Sequence, residues 1–314
     1  MMPYPSIRRL VIVNPRSRQG RGIAQFERER SSWEDLLGPL EVYRTRCVGD
    51  ATEAVRSVLE QRSADQIIVA GGDGTIHEAA QGYWNGEEVI CRDIPLGIIN
   101  LGSGGDFCRS VRVATPEYRE ALRMNRLALV DHGVMTRTGT APKLFLNIAS
   151  IGLAGAMLAQ RDASRFQAGA LAYFYHTVTS LLRFYPPEVL VRIESVEGNS
   201  SEERFSLINL FACNGRYSGG GMMWAPNADL QSGALELTIV TGPRKWPLIR
   251  HSGKVYAGRI DVFPGTHMVR AREVTIRFTH PLPVEGDGEQ WSNGETGTGE
   301  ISFGVRGAAF PLNI

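Results

Sequence analysis

Three short apolar runs in the first third of the chain constrain its fold most strongly, because each one is followed by a turn or a glycine-rich loop. The runs occupy residues 10–13, 67–70 and 96–99, and residues 41–43 have the same strand-like character. A short, continuous apolar run is typical of a strand that is buried on both faces of a sheet. These segments therefore predict parallel strands rather than the alternating strands of a half-exposed sheet.

Helical patterns lie between these strands. Residues 52–62 place Ala54, Val55, Val58 and Leu59 on one helical face, and residues 76–82 are also predicted to be helical. Strands that alternate with helices predict an open parallel α/β sheet. After about residue 130 the pattern changes to short β-rich runs at 143–149, 188–193, 205–212, 235–240 and 274–278, with one helical segment at 169–184. This second part predicts a mostly antiparallel β-domain.

Length and composition exclude several classes of protein. The 314 residues suffice for about two domains. With 34 basic and 33 acidic residues the formal net charge is +1, so a nucleic-acid partner is not expected. The four cysteines are far apart and have no C-x-x-C pair, which disfavours zinc sites and a disulfide framework. No segment has the length and apolarity of a membrane span or the form of a signal peptide. We therefore expect a cytoplasmic protein.

Three loops combine glycine with charged residues, and each follows a predicted strand. They are N-P-R-S-R-Q-G-R-G at 14–22, G-G-D-G-T at 71–75 and G-S-G-G-D at 102–106. Glycine lets backbone N–H groups approach a phosphate closely, and a following helix adds a favourable dipole. Asp73 and Asp106 are of the type that holds a phosphate-bridging Mg²⁺. No Walker A and no G-x-G-x-x-G pattern is present.

Together these motifs resemble the diacylglycerol kinase catalytic family, in particular its small bacterial lipid kinases. Similar blocks run through nearly the whole chain, among them G-G-D-G-T at 71–75, the segment 96–109, N-I-A-S-I-G at 147–152 and D-G-E at 287–289. The resemblance implies an α/β plus β fold. Residues 1–131 would form an open α/β nucleotide-binding domain like that of NAD kinases and phosphofructokinases, completed by about 301–314. Residues 132–300 would form an antiparallel β-sandwich that takes the lipid substrate.

The same resemblance assigns the site residues. It implies that Glu289 is the general base for the lipid hydroxyl, with Asp287 beside it, and that metal is bound by Asp73 and Asp229. It also implies that ATP is bound by Asn14, Thr45, Gly71, Gly72, Asp73, Gly74, Thr75, Ile76, His77, Ser103 and Asp106. From the residues alone, G-D-G-E favours an exposed β-turn over a catalytic pair. A second acidic candidate, Asn293-Gly294-Glu295, lies close by.

Four positions depart from the family pattern. Ser103 and Gly105 stand where the family has Thr and Asn, Asn100 stands where it has Pro, and His77 where an Asn is common. The segment 229–234 resembles the K-x-x-D-G-L magnesium segment of some relatives, but Asp229 replaces the lysine and Ser232 replaces the aspartate. A conserved mode of metal binding is therefore not expected there.

The resemblance implies ATP- and Mg²⁺-dependent phosphorylation of the hydroxyl of diacylglycerol or a related membrane lipid. The protein would then meet its lipid substrate at the membrane surface by transient peripheral contact. Two alternatives stay open: an NAD kinase-like enzyme, and a nucleotide-binding regulator with weakened catalysis. The sequence also leaves open whether the chain forms a homo-oligomer.

Overall fold

The computed structural model describes residues 7–163, 184–242, 246–291 and 299–314. The chain divides into two compact units. Unit 1 comprises Met1–His132 and Gly307–Ile314, and unit 2 comprises Gly133–Arg306. Two strands, β5 (Leu127–Arg137) and β16 (Gly299–Asn313), contribute residues to both units.

Unit 1 is built on parallel strands in the order β4-β3-β1-β2. Every residue of β1 and β3 is buried, as expected for strands that are covered on both faces. The four strands predicted from the sequence are confirmed to within one residue at either end. They are β1 (Arg9–Val13), β2 (Leu40–Arg44), β3 (Gln66–Gly71) and β4 (Leu96–Asn100).

Helices follow these strands in sequence. They are α1 (Arg21–Leu37), α2 (Asp50–Gln61), α3 (Asp73–Gly82), α4 (Asp106–Ser110) and α5 (Pro116–Arg123). Helix α2 buries Val55, Val58 and Leu59, so the predicted apolar face is confirmed. Helix α5 begins at a proline after Thr115, whose hydroxyl caps it by accepting the N–H of Tyr118 at 3.3 Å.

The end of β16 adds a further parallel strand to unit 1, with Leu312 opposite Leu96. Its side chains are integrated into the core of this unit. Gln66 donates to Asn313 Oδ1 at 2.8 Å, and the rings of Tyr83 and Phe310 lie 5.0 Å apart. The polar pair is fully buried, and its hydrogen bonds therefore specify where the chain end lies.

Unit 2 is an antiparallel β-domain with an extensive apolar core. Strand β9 (Ser200–Cys213) pairs with β8 (Glu188–Ser195) along its first half and with β12 (Leu235–Thr241) along its second half. Both partners pair in turn with β13 (Thr266–Phe278), which also pairs with the beginning of β16. The remaining elements are β6 (Lys143–Phe145), β7 (Ile148–Gly152), α6 (Leu153–Ala163), β10 (Tyr217–Ser218), β11 (Met222–Met223), α7 (Trp246–Val255), β14 (Val284–Gly286) and β15 (Glu289–Gln290).

The structure corrects one strand prediction. Residues 143–149 do not form one strand, because the chain leaves β6 after Phe145 and enters β7 at Ile148. The backbone N–H groups in this interruption bind the Asp287 carboxylate instead of a neighbouring strand. Except for Phe184, the predicted helix at 169–184 lies outside the described residues, as does the alternative acidic candidate at 293–295.

Candidate functional site

The three glycine-rich loops follow neighbouring strands, because β1 pairs with β3 and β3 pairs with β4. The Asn14 side chain connects the first two loops by donating to the Thr75 hydroxyl at 3.0 Å. Its carbonyl oxygen also accepts the N–H of Arg16 at 2.9 Å and so shapes the first loop. Asn14 therefore holds two loops together at the carboxyl edge of the sheet, where open α/β sheets bind ligands.

The second and third loops meet backbone to backbone. A Cβ atom on Gly102 would lie 2.5 Å from the Cα atom of Gly72, and one on Gly71 would lie 2.7 Å from the Cβ atom of Thr75. Gly71 and Gly102 are thus required by packing and not only by a turn. The absence of side chains leaves the backbone of both loops close together, which suits the binding of a phosphate.

This packing leads to a prediction for Gly102→Ala. The added methyl group meets backbone, which cannot rotate away, so the two loops must separate. We expect the free energy of unfolding to fall by about 1–3 kcal/mol, the usual cost of overpacking, and nucleotide affinity to fall with it. Urea unfolding and calorimetric titration with ATP check the two effects. Gly253→Ala, at an exposed position in α7 that has no left-handed φ and no atom within 4 Å of the added Cβ, is the control. An unchanged ATP affinity in Gly102→Ala would contradict this account of the loops.

Asp73 is the centre of the contact between the second and third loops. It is the first residue of α3, and its carboxylate accepts the backbone N–H groups of Gly105 at 2.8 Å, Asp106 at 3.3 Å and Phe107 at 3.3 Å. Burial raises the pKa of Asp73, the Asp106 carboxylate raises it further, and the three N–H groups oppose this shift. Asp73 therefore holds the third loop in place from the beginning of α3.

Two departures from the family pattern compensate for each other. Gly105 has a φ of +63°, and a Cβ atom there would lie 2.7 Å from Nδ2 of Asn100. The Asn100 amide thus occupies the space that a side chain at position 105 would need. Its Oδ1 accepts the N–H of Gly102 at 2.9 Å. An asparagine side chain therefore still supports this loop, although it comes from position 100.

The other residues predicted for the nucleotide site differ in exposure. Thr75, Ile76 and His77 are buried in α3, whereas Ser103 is exposed at the tip of the third loop and Gly74 is half-buried. The His77 ring has Nε2 3.4 Å from the Gln81 amide nitrogen, within the same helix. This position gives His77 a packing role in α3. Asp106 is mostly buried and forms an ion pair of 2.9 Å with Arg109.

Asp50 stabilises the loop after β2, and its role was not predicted from the sequence. Thr45 lies just after β2, and its backbone N–H donates to Val13 O at 3.0 Å. The loop that follows is held by Asp50, whose buried carboxylate accepts the Arg46 N–H at 2.7 Å and the Tyr43 hydroxyl at 2.8 Å. The Arg46 guanidinium also binds it, and these contacts hold the pKa of Asp50 far below its usual range.

The lowered pKa of Asp50 predicts a pH-dependent loss of stability. A carboxyl group with a lower pKa in the folded state stabilises the fold above its unfolded pKa of about 3.9, and this stabilisation is lost as the pH falls through its folded pKa. Asp50→Asn should therefore lower the urea midpoint at pH 7. The difference in urea midpoint between this variant and the wild-type protein should be smaller at pH 3. Asp35→Asn, at an exposed position on α1, is the control. An equal difference at both pH values would contradict this role for Asp50.

In unit 2, Asp287 and Gly288 form the two-residue turn between β14 and β15. Their φ angles are +53° and +84°, the combination of a type I′ hairpin, for which Asp-Gly is a preferred sequence. The Asp287 carboxylate accepts the N–H groups of Leu146 and Asn147 at 2.9 Å and of Ile148 at 3.2 Å. Asp287 therefore fixes the turn against the chain between β6 and β7.

Glu289 is the first residue after this turn and is exposed. Glu285, on the preceding strand, is instead buried and accepts the Ser150 hydroxyl at 2.7 Å and the Gly288 N–H at 2.9 Å. Glu285 was not identified from the sequence. The three carboxylates have different roles: Glu285 and Asp287 hold the hairpin, and Glu289 is exposed to solvent.

The 229–234 segment has its own internal hydrogen bonds. Asp229 is exposed, and its carboxylate accepts the N–H of Gln231 at 3.0 Å. The hydroxyl of Ser232 lies 3.1 Å from the Ala234 carbonyl oxygen, to which it donates. Within the described residues no group of three or more His, Cys, Asp and Glu side chains is placed to hold a metal ion. The predicted role of Asp229 as a metal ligand therefore has no cluster of such side chains to support it.

Comparisons with known proteins agree with the fold. A family model described as the diacylglycerol kinase catalytic domain matches residues 8–134, and one described as the YegS C-terminal NAD kinase beta sandwich-like domain matches residues 147–299. The chain is 24% identical over 253 residues to a diacylglycerol kinase of Mycobacterium tuberculosis, which covers 76% of this chain and 79% of that protein. It is 27% identical over 299 residues to a Pseudomonas putida protein named probable lipid kinase YegS-like, covering 93% and 92%.

A solved structure of a diacylglycerol kinase from Bacillus anthracis has the same fold, with a TM-score of 0.66, 22% identity and coverage of 99% of this chain and 97% of that one. The class is thus that of an α/β catalytic domain followed by a β-sandwich domain. The chain thus carries a diacylglycerol kinase catalytic domain at residues 8–134 and a YegS-type C-terminal domain at residues 147–299, the domains of the diacylglycerol kinase- and YegS-like lipid kinase family. In the described part of the chain, no helix is long and apolar enough to cross a membrane.

Proposed function

We propose that this lipid kinase transfers the γ-phosphoryl group of ATP to the hydroxyl of diacylglycerol or a closely related membrane lipid. The observation that carries the proposal is the connection of the three loops of unit 1 through Asn14 and Asp73. Phosphoryl transfer depends mainly on positioning and on electrostatic stabilisation, which loops of this kind supply.

The nucleotide would be bound by groups at the carboxyl edge of the unit 1 sheet. The backbones of Gly71–Gly72 and Gly102–Gly104 can approach phosphates, and the exposed Ser103 hydroxyl is free to donate to them. Thr45 lies at the end of the neighbouring strand β2, and its loop is held by Asp50. The buried residues Thr75, Ile76 and His77 support these loops from within α3.

Mg²⁺ fits the chemistry of this region. Asp73 and Asp106 are close enough for the negative charge of Asp106 to raise the pKa of Asp73, and a cation between carboxylates would relieve that repulsion. Mg²⁺ commonly uses one or two carboxylates together with phosphate oxygens and water, so a large cluster of acidic residues is not required. Bound there, it would neutralise charge on the phosphates.

Glu289 is the proposed general base, which accepts the proton of the lipid hydroxyl as that oxygen attacks the γ-phosphorus. Its exposure leaves both carboxylate oxygens accessible to a substrate. Asp287 is a positioning residue, because its carboxylate accepts three backbone N–H groups that fix the turn immediately before Glu289. A general base typically contributes about 10²- to 10⁴-fold to the rate.

A panel of short-chain lipids tests the substrate assignment. The purified protein is incubated with ATP, Mg²⁺ and equal amounts of dioctanoylglycerol, an octanoyl monoacylglycerol and a short-chain sphingosine, and the products are identified by mass spectrometry. We expect dioctanoyl phosphatidic acid as the main product. Phosphorylation of another lipid would change the proposed substrate but would still support lipid kinase activity. Phosphorylation of none would favour the alternative of a nucleotide-binding regulator.

In the alternative of an NAD kinase-like enzyme, the phosphoryl acceptor is NAD. The description of the family model that matches 147–299, an NAD kinase beta sandwich-like domain, supports this alternative. Adding NAD to the same mixture separates the two acceptors, because mass spectrometry detects no NADP if the lipid hydroxyl is the only acceptor.

For location, we propose transient peripheral contact with the membrane. The net charge of +1 provides little general attraction to anionic lipids, so salt extraction should release any protein that sediments with membranes.

A further inference from the structure

A pocket of about 740 Å³ lies within unit 1 and is not accounted for by the proposed nucleotide site. It is lined by α1, by the end of β4 and by the segment that runs from the third loop to α5. Of the residues given above to nucleotide binding, its lining includes Ser103 and Gly104, both in the third loop. The volume is within the range of small-molecule sites.

The charge of the lining is predominantly positive. Arg109, Arg112 and Arg119 all line the pocket, against a single carboxylate, that of Glu29. Arg109 is engaged with Asp106 at 2.9 Å. Within the described chain, neither Arg112 nor Arg119 forms an ion pair, and the Arg119 guanidinium instead lies 5.2 Å from the centre of the Trp33 ring. Two guanidinium groups therefore remain available to an anion.

Arg112 is held in an unusual backbone conformation. Its φ is +57°, in the left-handed region that non-glycine residues rarely adopt. The turn is closed on both sides, because the Arg112 N–H donates to Arg109 O at 3.3 Å and the Arg112 carbonyl accepts the Thr115 N–H at 3.0 Å. Such conformations persist where the surrounding structure enforces them, and they are frequent at ligand sites. The turn thus places Arg112 in the pocket lining with a backbone strain that a glycine at this position would not have.

The inner wall of the pocket is apolar. Ile98, Cys108, Tyr118 and Leu122 are all buried. The Tyr118 hydroxyl is already engaged, since it accepts the Ile98 N–H at 2.7 Å. A ligand that fills this pocket must therefore combine an anionic group for the arginines with an apolar body for the inner wall.

We propose that this pocket binds a phosphate monoester that carries an apolar or aromatic body, at a site separate from that of ATP. Guanidinium groups bind phosphate by paired, charge-assisted hydrogen bonds, and a doubly charged monoester matches two free arginines. Both a soluble ester and a phosphorylated lipid have this chemistry. The proposal does not depend on the assignment of Glu289 as the general base, because Glu289 does not line the pocket.

Calorimetric titration of the full chain tests the site with 1-naphthyl phosphate, dioctanoyl phosphatidic acid and inorganic phosphate. We expect both esters to bind, and inorganic phosphate to bind at least about 10-fold more weakly because it lacks the apolar body. The ester that binds more tightly shows whether the ligand is a soluble phosphate ester or a phosphorylated lipid.

A saturating concentration of a non-hydrolysable ATP analogue should change the affinity for 1-naphthyl phosphate by less than about two-fold. The indole N–H of Trp33, which has no hydrogen-bond acceptor among the described residues, provides an NMR signal that reports displacement of Arg119.

Two variants assign the binding to this pocket. The double variant Arg112→Gln/Arg119→Gln should lower the affinity for 1-naphthyl phosphate about 100-fold, roughly 10-fold for each charged contact. Ala114→Trp should block the pocket, and the matched control Arg28→Gln, on the exposed face of α1, should change nothing. Unchanged affinity in the double variant, no saturable binding of either ester, or competitive displacement by the ATP analogue would each overturn the proposal. Competitive displacement by the ATP analogue would in addition support the proposed kinase function, because the pocket would then be part of the nucleotide site. The other two outcomes would not bear on that function.

Discussion

Asp73→Ala is expected to lower phosphoryl transfer by roughly 10³-fold, the loss that follows removal of one strong electrostatic group from an active site. The variant loses the carboxylate that would face Mg²⁺ and phosphate. It also leaves the backbone N–H groups of Gly105, Asp106 and Phe107 without their acceptor. We therefore expect the free energy of unfolding to fall by about 2 kcal/mol as well. Turnover at saturating Mg²⁺ and urea unfolding measure the two effects.

Asp73→Asn separates the two roles of this residue. The amide oxygen can still accept some of the N–H groups, so stability should recover in part, whereas turnover should stay low because the charge is missing. Asp35→Ala, which removes an exposed carboxylate from α1, controls for the loss of a charge. Normal turnover in either Asp73 variant would show that this loop does not bind the phosphates of ATP.

Glu289→Gln is expected to have the next largest effect. The amide preserves shape but cannot accept a proton, so turnover should fall by about 10²- to 10⁴-fold. Glu289 is exposed, and among the described residues its side chain forms none of the hydrogen bonds that hold the hairpin, so the thermal midpoint should not change. ATP affinity should also be unchanged, because the proposed nucleotide residues all belong to unit 1. Stopped assays of turnover, calorimetric ATP binding and thermal unfolding test the three expectations.

Asp287→Asn provides the contrast. Its carboxylate accepts three backbone N–H groups, so this variant should lose stability, and its loss of turnover should be similar to or smaller than that of Glu289→Gln. Glu295→Gln tests the competing acidic candidate. A large loss at Glu295 with normal turnover at Glu289 would move the base six positions along the chain. Slight losses at both would favour the non-catalytic alternative.

The strands of unit 1 were predictable because burial on both faces leaves a continuous apolar run, as in β1 and β3. Helix α1 was not predicted. Only Gly22, Phe26 and Leu37 are buried along its 17 residues, so the helical period of apolar positions is weak. Helix α5 is too short for a clear period, although its capping by Thr115 and Pro116 is a signal that could have identified it.

The glycine-rich loops were predictable from local sequence, but the contacts that join them were not. The hydrogen bonds from Gly105–Phe107 to Asp73 connect residues more than 30 positions apart, and those to Asp287 span about 140. Such pairs depend on the tertiary fold. For the same reason, the replacement of Asn by Gly105 looked like a loss in the sequence, whereas the structure places the Asn100 amide in the vacated space.

The central claim is that this chain transfers the γ-phosphoryl group of ATP to a lipid hydroxyl. The most direct measurement incubates the protein with γ-labelled ATP, Mg²⁺, NAD and a total lipid extract, and then follows the label after separation into organic and aqueous phases. We predict that the label moves into an organic-phase lipid that migrates with phosphatidic acid, and that it does so with the unchanged protein but not with Asp73→Ala. Label in NADP, or label released only as inorganic phosphate, would contradict the account.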